Sequence, residues 1–165
     1  MNQDDPMYSD FSGFKEVTVD GKGRVVIPKI FHESILGESG STLSVSMDVS
    51  QQCIVIVTKS RWEKQREALT SDTSVNLHVK RLKLGTHEWV DMDATGRILI
   101  PKALRTMAQI EREGLISGVG TRLELWDMNL FTTYYATVRA QSNTQENTDS
   151  EKRMSASETI ETLDL

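Results

Sequence analysis

Asp20-Gly21-Lys22-Gly23-Arg24-Val25-Val26-Ile27-Pro28-Lys29 and Asp93-Ala94-Thr95-Gly96-Arg97-Ile98-Leu99-Ile100-Pro101-Lys102 are two versions of one ten-residue stretch, 73 positions apart (93 − 20). Six of the ten positions are identical: Asp, Gly, Arg, Ile, Pro and Lys recur in register. Asp and Gly together are ordinary turn chemistry, so a single DxxGR says little. Two copies with the same continuation are an internal repeat, and a solenoid needs more units than this. The expected product is a duplicated half-domain that closes on itself.

Working outward, Phe14 to Val19 reads as a strand, Asp20 to Gly23 as a turn and Arg24 to Ile27 as a second strand, together a hairpin with a Gly-rich tip. Pro28 suits a helix start, because its missing N–H costs nothing there, and Lys29 to Leu36 is a short helix stopped by Gly37. Strands follow at Thr42 to Met47 and Gln52 to Thr58. The apolar run Cys53-Ile54-Val55-Ile56-Val57 predicts burial on both faces. Ser60, with Glu63 in the capping-box position, opens a helix to Leu69, and Val75, Val79 and Leu82 form the stripe of another over 75–84.

The pattern then returns: strand Thr86 to Met92, tip Asp93 to Gly96, strand Arg97 to Ile100, helix Lys102 to Arg112, strands Leu115 to Val119 and Arg122 to Trp126, helix Leu130 to Arg139. Ile54-Val55-Ile56-Val57 matches Leu123-Glu124-Leu125-Trp126 at an offset of 69 (123 − 54). The organisation expected is a disordered acidic start (1–10), a first repeat (11–70), a connecting helix (71–85), a second repeat (86–140) and a flexible acidic tail (141–165), in which Ile160, Leu163 and Leu165 are a candidate docking segment. The fold class is mainly β with short helices (α+β). Two copies related by a pseudo-twofold interleave their hairpins into one barrel, with both tips on a common side.

The net charge of −5 over 165 residues argues superficially against a polyanionic partner. Residues 1–10 carry three acids and no base, and 141–165 six acids against two bases, whereas 11–140 have 17 bases and 15 acids, leaving that body at +2. A body near neutrality can hold a basic face. No apolar run is long enough to span a bilayer and the start is acidic where a signal peptide is basic, so a cytoplasmic protein is expected. Cys53 is the only cysteine, which excludes an intramolecular disulfide. It reads as an inert core residue. His32, His78 and His87 lack metal-ligand spacing. Trp62, Trp89 and Trp126 read as core anchors rather than base-stacking platforms. No nucleophile or acid–base motif is present, so no catalysis and no cofactor is expected.

The doubled DxxGR tips with their hydrophobic triplets and prolines, Arg81-Leu82-Lys83-Leu84-Gly85, and Gly118-Val119-Gly120 leading to Leu123-Glu124-Leu125-Trp126-Asp127 resemble the MraZ family of bacterial transcriptional regulators. These are tandem relatives of the AbrB and MazE swapped-hairpin DNA-binding domains. The resemblance covers residues 11–140. It implies a double-split β-barrel of two AbrB-like repeats, a ring-like homo-oligomer and a nucleoid-associated location. It also implies binding to promoter direct repeats, with repression of the division and cell-wall gene cluster. The family's contact motif falls on Asp20, Lys22, Gly23 and Arg24, and on Asp93, Gly96 and Arg97. Thr95 stands where the first copy has Lys22, so the halves are expected to contact DNA unequally.

In that role Arg24 and Arg97 either read guanine bidentately or clamp phosphate with the same fork. Asp20 and Asp93 orient them, and Lys22, Lys29 and Lys102 add phosphate contacts. The plain structural alternative is that each Asp caps its own turn and pairs with its own Arg. Two rival functions share the fold: an antitoxin-like module whose acidic tail neutralises a partner, and a protein-interaction adaptor barrel.

Overall fold

The computed structural model describes residues 10–163, with side chains described to residue 154. The acidic start, apart from Asp10, lies outside these residues, as do the side chains of Ile160, Leu163 and Leu165. Two compact units are formed, Met1–Met128 and Asn129–Leu165.

The first unit runs β1 (Phe11–Thr18), β2 (Arg24–Val26), a 3-10 turn (Lys29–Phe31), α1 (His32–Ser39), β3 (Thr42–Met47), β4 (Ile54–Thr58), α2 (Lys59–Ser71) and α3 (Leu77–Lys83), then β5 (Glu88–Asp91), β6 (Arg97–Leu99), α4 (Lys102–Met107), β7 (Glu113–Gly120) and β8 (Leu123–Asp127). The series strand, tip, strand, helix, strand, strand occurs twice, with α2 and α3 between the two copies. The second unit belongs to one helix, α5 (Met128–Leu163). The break expected near residue 140 is absent: the segment read as a flexible tail continues α5 without interruption. It is rich in Ser, Thr, Asn, Gln and Glu, but it contains no Pro or Gly to end a helix.

Six strands form one antiparallel sheet in the order β1-β7-β8-β4-β3-β5, and β2 and β6 pair with each other in a separate ribbon. The order is a palindrome under exchange of repeats, since β1, β3 and β4 correspond to β5, β7 and β8. Registers follow the same symmetry. Val55 opposes Glu124, its equivalent at the offset of 69 (124 − 55), and Val25 opposes Ile98, its equivalent at 73 (98 − 25). A pseudo-twofold therefore passes through both pairs. Each outer strand is exchanged: β1 of the first repeat pairs with β7 of the second, and β5 of the second with β3 of the first.

The strand pairing departs from the sequence expectation in two ways. The hairpins β1–β2 and β5–β6 do not form ladders; only their turns close, and β2 and β6 find each other across the axis. The sheet is consequently open rather than a closed barrel, with β1 and β5 as its edges, because the strands that would have sealed those edges are spent on the ribbon.

One core joins the repeats. Val25, Ile27, Ile35, Val45, Ile54, Ile56 from the first and Ile98, Ile100, Leu104, Ile116, Leu123, Leu125 from the second belong to a single buried cluster between the sheet and the ribbon. Val55 and Val57 point to the other face, against Trp62 and Leu84, so β4 is buried on both sides as its unbroken apolar run predicts. Burying an aliphatic side chain is worth about 2 kcal/mol, and a one-residue slip of the ribbon would trade the Val25–Ile98 pair for arginines, so its register is firmly held. Arg122 adds an ionic link between repeats, from Asp48 (3.0 Å) to Glu124 (2.5 Å).

Several boundaries differ from the sequence reading. Helix α1 runs through Gly37 and gives way at Gly40, and α4 ends at Met107 rather than Arg112, with β7 beginning at Glu113. Ser60 is not a cap: its hydroxyl donates to Glu38 and its N–H to Ser39, while Arg61 donates through Nε to both oxygens of Glu38. Helix α3 is capped instead by Asn76, which accepts from the His78 N–H at 2.7 Å. Trp62 and Trp126 are buried, but Trp89 is not.

Candidate functional site

Both tips are built alike. Asp20 Oδ1 accepts the Lys22 and Arg24 backbone N–H groups, each at 2.9 Å, while Gly23 N–H donates to Asp20 O and Asp20 N–H to Arg24 O. Asp93 Oδ1 likewise accepts from Thr95 and Arg97 N–H at 2.9 Å, and from the Thr95 hydroxyl at 2.7 Å. The turn delivers the chain into Gly23 at φ +90° and Gly96 at φ +88°, a conformation that glycine adopts without a Cβ penalty. That is why the repeat keeps Gly in this place.

The second oxygen of each carboxylate takes its own arginine. Arg24 Nε donates to Asp20 Oδ2 at 2.7 Å and Arg97 Nε to Asp93 Oδ2 at 3.1 Å. The N–H of Arg24, then its side chain and the Lys22 N–H, hold the Asp20 carboxyl down to about 2. The Thr95 hydroxyl and the Arg97 N–H hold Asp93 lower still. Each arginine is gripped only at Nε. Its terminal nitrogens have no partner among the described residues, and the side chains are 41% and 45% exposed.

The repeats then complete one another. Ile100 N–H donates to Gly23 O (2.9 Å) and Ile27 N–H to Gly96 O (2.8 Å), so each tip is stitched to the opposite repeat. Helix side chains follow the same exchange. Arg105 on α4 donates Nε to Ile100 O (3.1 Å) and lies over Gly23, where an added Cβ would come within 2.6 Å of it. His32 on α1 contacts Ile27 O through Nε2 (2.5 Å) and lies over Gly96 in the same way.

The ribbon register decides where the arginines go. Arg24 opposes Leu99 and Val26 opposes Arg97, flanking the buried Val25–Ile98 pair. Side chains directly opposite each other in an antiparallel ladder share a face. Arg24, Val26, Arg97 and Leu99 therefore all stand on the outer face, with the two arginine Cα atoms about 8 Å apart along the diagonal. Asp20, Lys22, Gly23 and Arg24 are brought together with Arg105, and Asp93, Gly96 and Arg97 with His32. Lys22, Lys29 and Lys102 are exposed. Lys102 is three residues before Arg105 on α4, and Lys29 is three before His32, so each pair follows the same plan.

The family model for "MraZ protein, putative antitoxin-like" matches this chain twice, over residues 11–85 and 82–154. The chain belongs to the MraZ family. Among curated relatives, the transcriptional regulator MraZ of Hydrogenovibrio crunogenus is 38% identical over 120 residues, 70% of this chain and 78% of the relative. That of Coxiella burnetii is 34% identical over 126 residues (74% and 83%), and that of Legionella pneumophila 31% over 124 (73% and 82%).

The two MraZ matches coincide with the duplication read from the DxxGR stretches, and the first begins at Phe11, where β1 begins. Within this MraZ framework, sequence reasoning missed His32 and Arg105. The signal was available, since they are equivalent positions (105 − 32 = 73), but nothing in a single sequence says that each covers the other repeat's tip. Cys53 is buried, and burial pushes its thiol up and out of reactive range. Among the described residues no His, Cys, Asp and Glu side chains group to hold a metal ion, and no helix is long and apolar enough to cross a membrane.

Proposed function

We propose that this MraZ-family chain is a sequence-specific, DNA-binding transcriptional regulator. The observation that carries the reading is the pair of guanidinium groups on one exposed face, each oriented by a carboxylate at Nε and open at its terminal nitrogens. That is the fork needed for guanine O6 and N7, or for phosphate. The ribbon's strands, about 5 Å apart, suit a major groove about 12 Å wide. Asp20, Lys22, Arg24, Asp93 and Arg97 form the contact surface, buried Gly23 and Gly96 shape the two turns from beneath Arg105 and His32, and Lys29 and Lys102 contribute salt-sensitive phosphate contacts.

Two tips per protomer contact few base pairs, so the reading includes a homo-oligomeric ring on promoter direct repeats, in which linked sites raise effective concentration without new contacts. Autorepression of a division and cell-wall gene cluster and a cytoplasmic, nucleoid-associated location complete it. The test is nuclease footprinting on DNA upstream of the protein's own gene, at several salt concentrations, with wild type and the Arg24→Ala/Arg97→Ala variant. Protection at regularly spaced repeats that vanishes in a folded variant is expected. Protection that survives the double substitution, or none with the wild type, overturns the reading. The antitoxin-like wording of the family description favours one second reading, in which residues 141–165 engage a partner protein; deleting them would then abolish partner binding and spare the footprint.

A further inference from the structure

Charge alone leaves half of the ribbon's outer face unused. Val26 and Leu99 are 47% and 55% exposed, while Val25 and Ile98 between them are buried. An isolated exposed aliphatic residue is ordinary. These two, however, occupy equivalent positions (99 − 26 = 73), and each lies directly across the ladder from an Asp-held arginine, Val26 from Arg97 and Leu99 from Arg24. The face is thus a four-cornered array with guanidinium groups at one diagonal and aliphatic groups at the other. Strand propensity accounts for valine at 26 but not for leucine at 99. Against phosphate oxygens both side chains would be idle.

A base edge is different. In the major groove, thymine presents a C5-methyl group, an apolar feature that an aliphatic side chain can cover. Along β2, Arg24 and Val26 are about 6.8 Å apart, and bases on one strand rise about 3.4 Å each, so the two side chains are spaced for bases about two steps apart. The same holds for Arg97 and Leu99 in the opposite direction. We propose that Val26 and Leu99 are specificity-determining residues that each cover a thymine methyl group, close to the base pair engaged by the arginine opposite. The inference rests on the DNA-binding reading above and carries it from charge to base identity: one ribbon reads two arginine-contacted positions and two thymines in a two-fold arrangement.

The test uses the duplex protected in footprinting, made once with thymine and once with deoxyuridine throughout the protected segment, which removes only methyl groups from the groove. Full-length protein is titrated onto each by fluorescence anisotropy. Each covered methyl is worth about a fourfold change in Kd, so the deoxyuridine duplex should bind at least about fifteenfold more weakly, the loss from the two methyl groups under a single ribbon. The Val26→Ser/Leu99→Ser variant should bind the thymine duplex as weakly as wild type binds the deoxyuridine duplex, and should no longer distinguish the two. Equal binding of both duplexes by wild type overturns the proposal while leaving DNA binding intact, as does retained discrimination in the variant. A variant of altered mass by light scattering that has lost affinity for both duplexes also overturns it, by making Val26 and Leu99 assembly contacts. Wild type that binds neither duplex overturns the DNA-binding reading itself.

Discussion

Replacing Gly96 by alanine should damage the second tip in two separable ways. At φ +88° any residue with a Cβ pays about 1–2 kcal/mol for the left-handed conformation. The new methyl would also overlap the His32 ring and come within 3.3 Å of Ile27 O. Displacing the ring sacrifices the His32 Nε2 contact to Ile27 O (2.5 Å), a further loss of about 1 kcal/mol. The total is about 2–3 kcal/mol, which at a urea slope of about 1–3 kcal/mol per molar lowers the unfolding midpoint by about 1 M or more. Gly21→Ala in the first tip is the control, since nothing lies within 4 Å of its Cβ direction, and it should unfold within about 0.5 kcal/mol of wild type. Adding His32→Ala to Gly96→Ala should cost nothing further, because the contact that substitution removes is already gone. If Gly96→Ala and Gly21→Ala unfold at the same urea concentration, or if the His32 and Gly96 effects simply add, the packing of His32 over Gly96 is refuted.

The Asp20 carboxyl is held from its ordinary 3.8 down to about 2, so its contribution to stability is present above pH 4 and disappears as pH falls through about 2. Carbon-13 titration of Asp20 should show no protonation step near 4, and a step there would refute the turn geometry. Ile27→Ala and Ile100→Ala, at fully buried and equivalent positions in the shared core, should each cost about 2–5 kcal/mol and lower one common transition followed by tryptophan fluorescence. Two separate transitions would mean that the repeats hold independent cores.

The parts of the fold legible in the sequence are those governed by local chemistry. Asp20 and Asp93 cap tight turns because a short carboxylate reaches the N–H groups two and four residues on. β4 is buried on both faces because Ile54 to Val57 are apolar without a break. Where local signals competed, the reading failed. Gly37 was a plausible helix stop, yet α1 passes through it to Gly40, and Ser60 turned from its own helix to Glu38, which already holds the buried Arg61. The tail's polar, acidic composition points to a flexible segment, yet polar residues without Pro or Gly do not end a helix.

Strand exchange lies beyond local chemistry altogether. From sequence, β1 and β2 form a hairpin as naturally as β1 pairs with β7, because alternation says which residues of a strand share a face and is silent on which strand lies beside it. The duplication, the turns and the DxxGR arginines were determined by the sequence alone. That Arg24 and Arg97 share a face, that Val26 and Leu99 stand beside them, and that His32 and Arg105 each cover the opposite tip were decided by tertiary structure. The physical reason is that neither repeat can bury Val25, Ile27, Ile98 and Ile100 by itself: only by crossing β2 against β6 do both halves cover one core, and that crossing sets every position on the outer face.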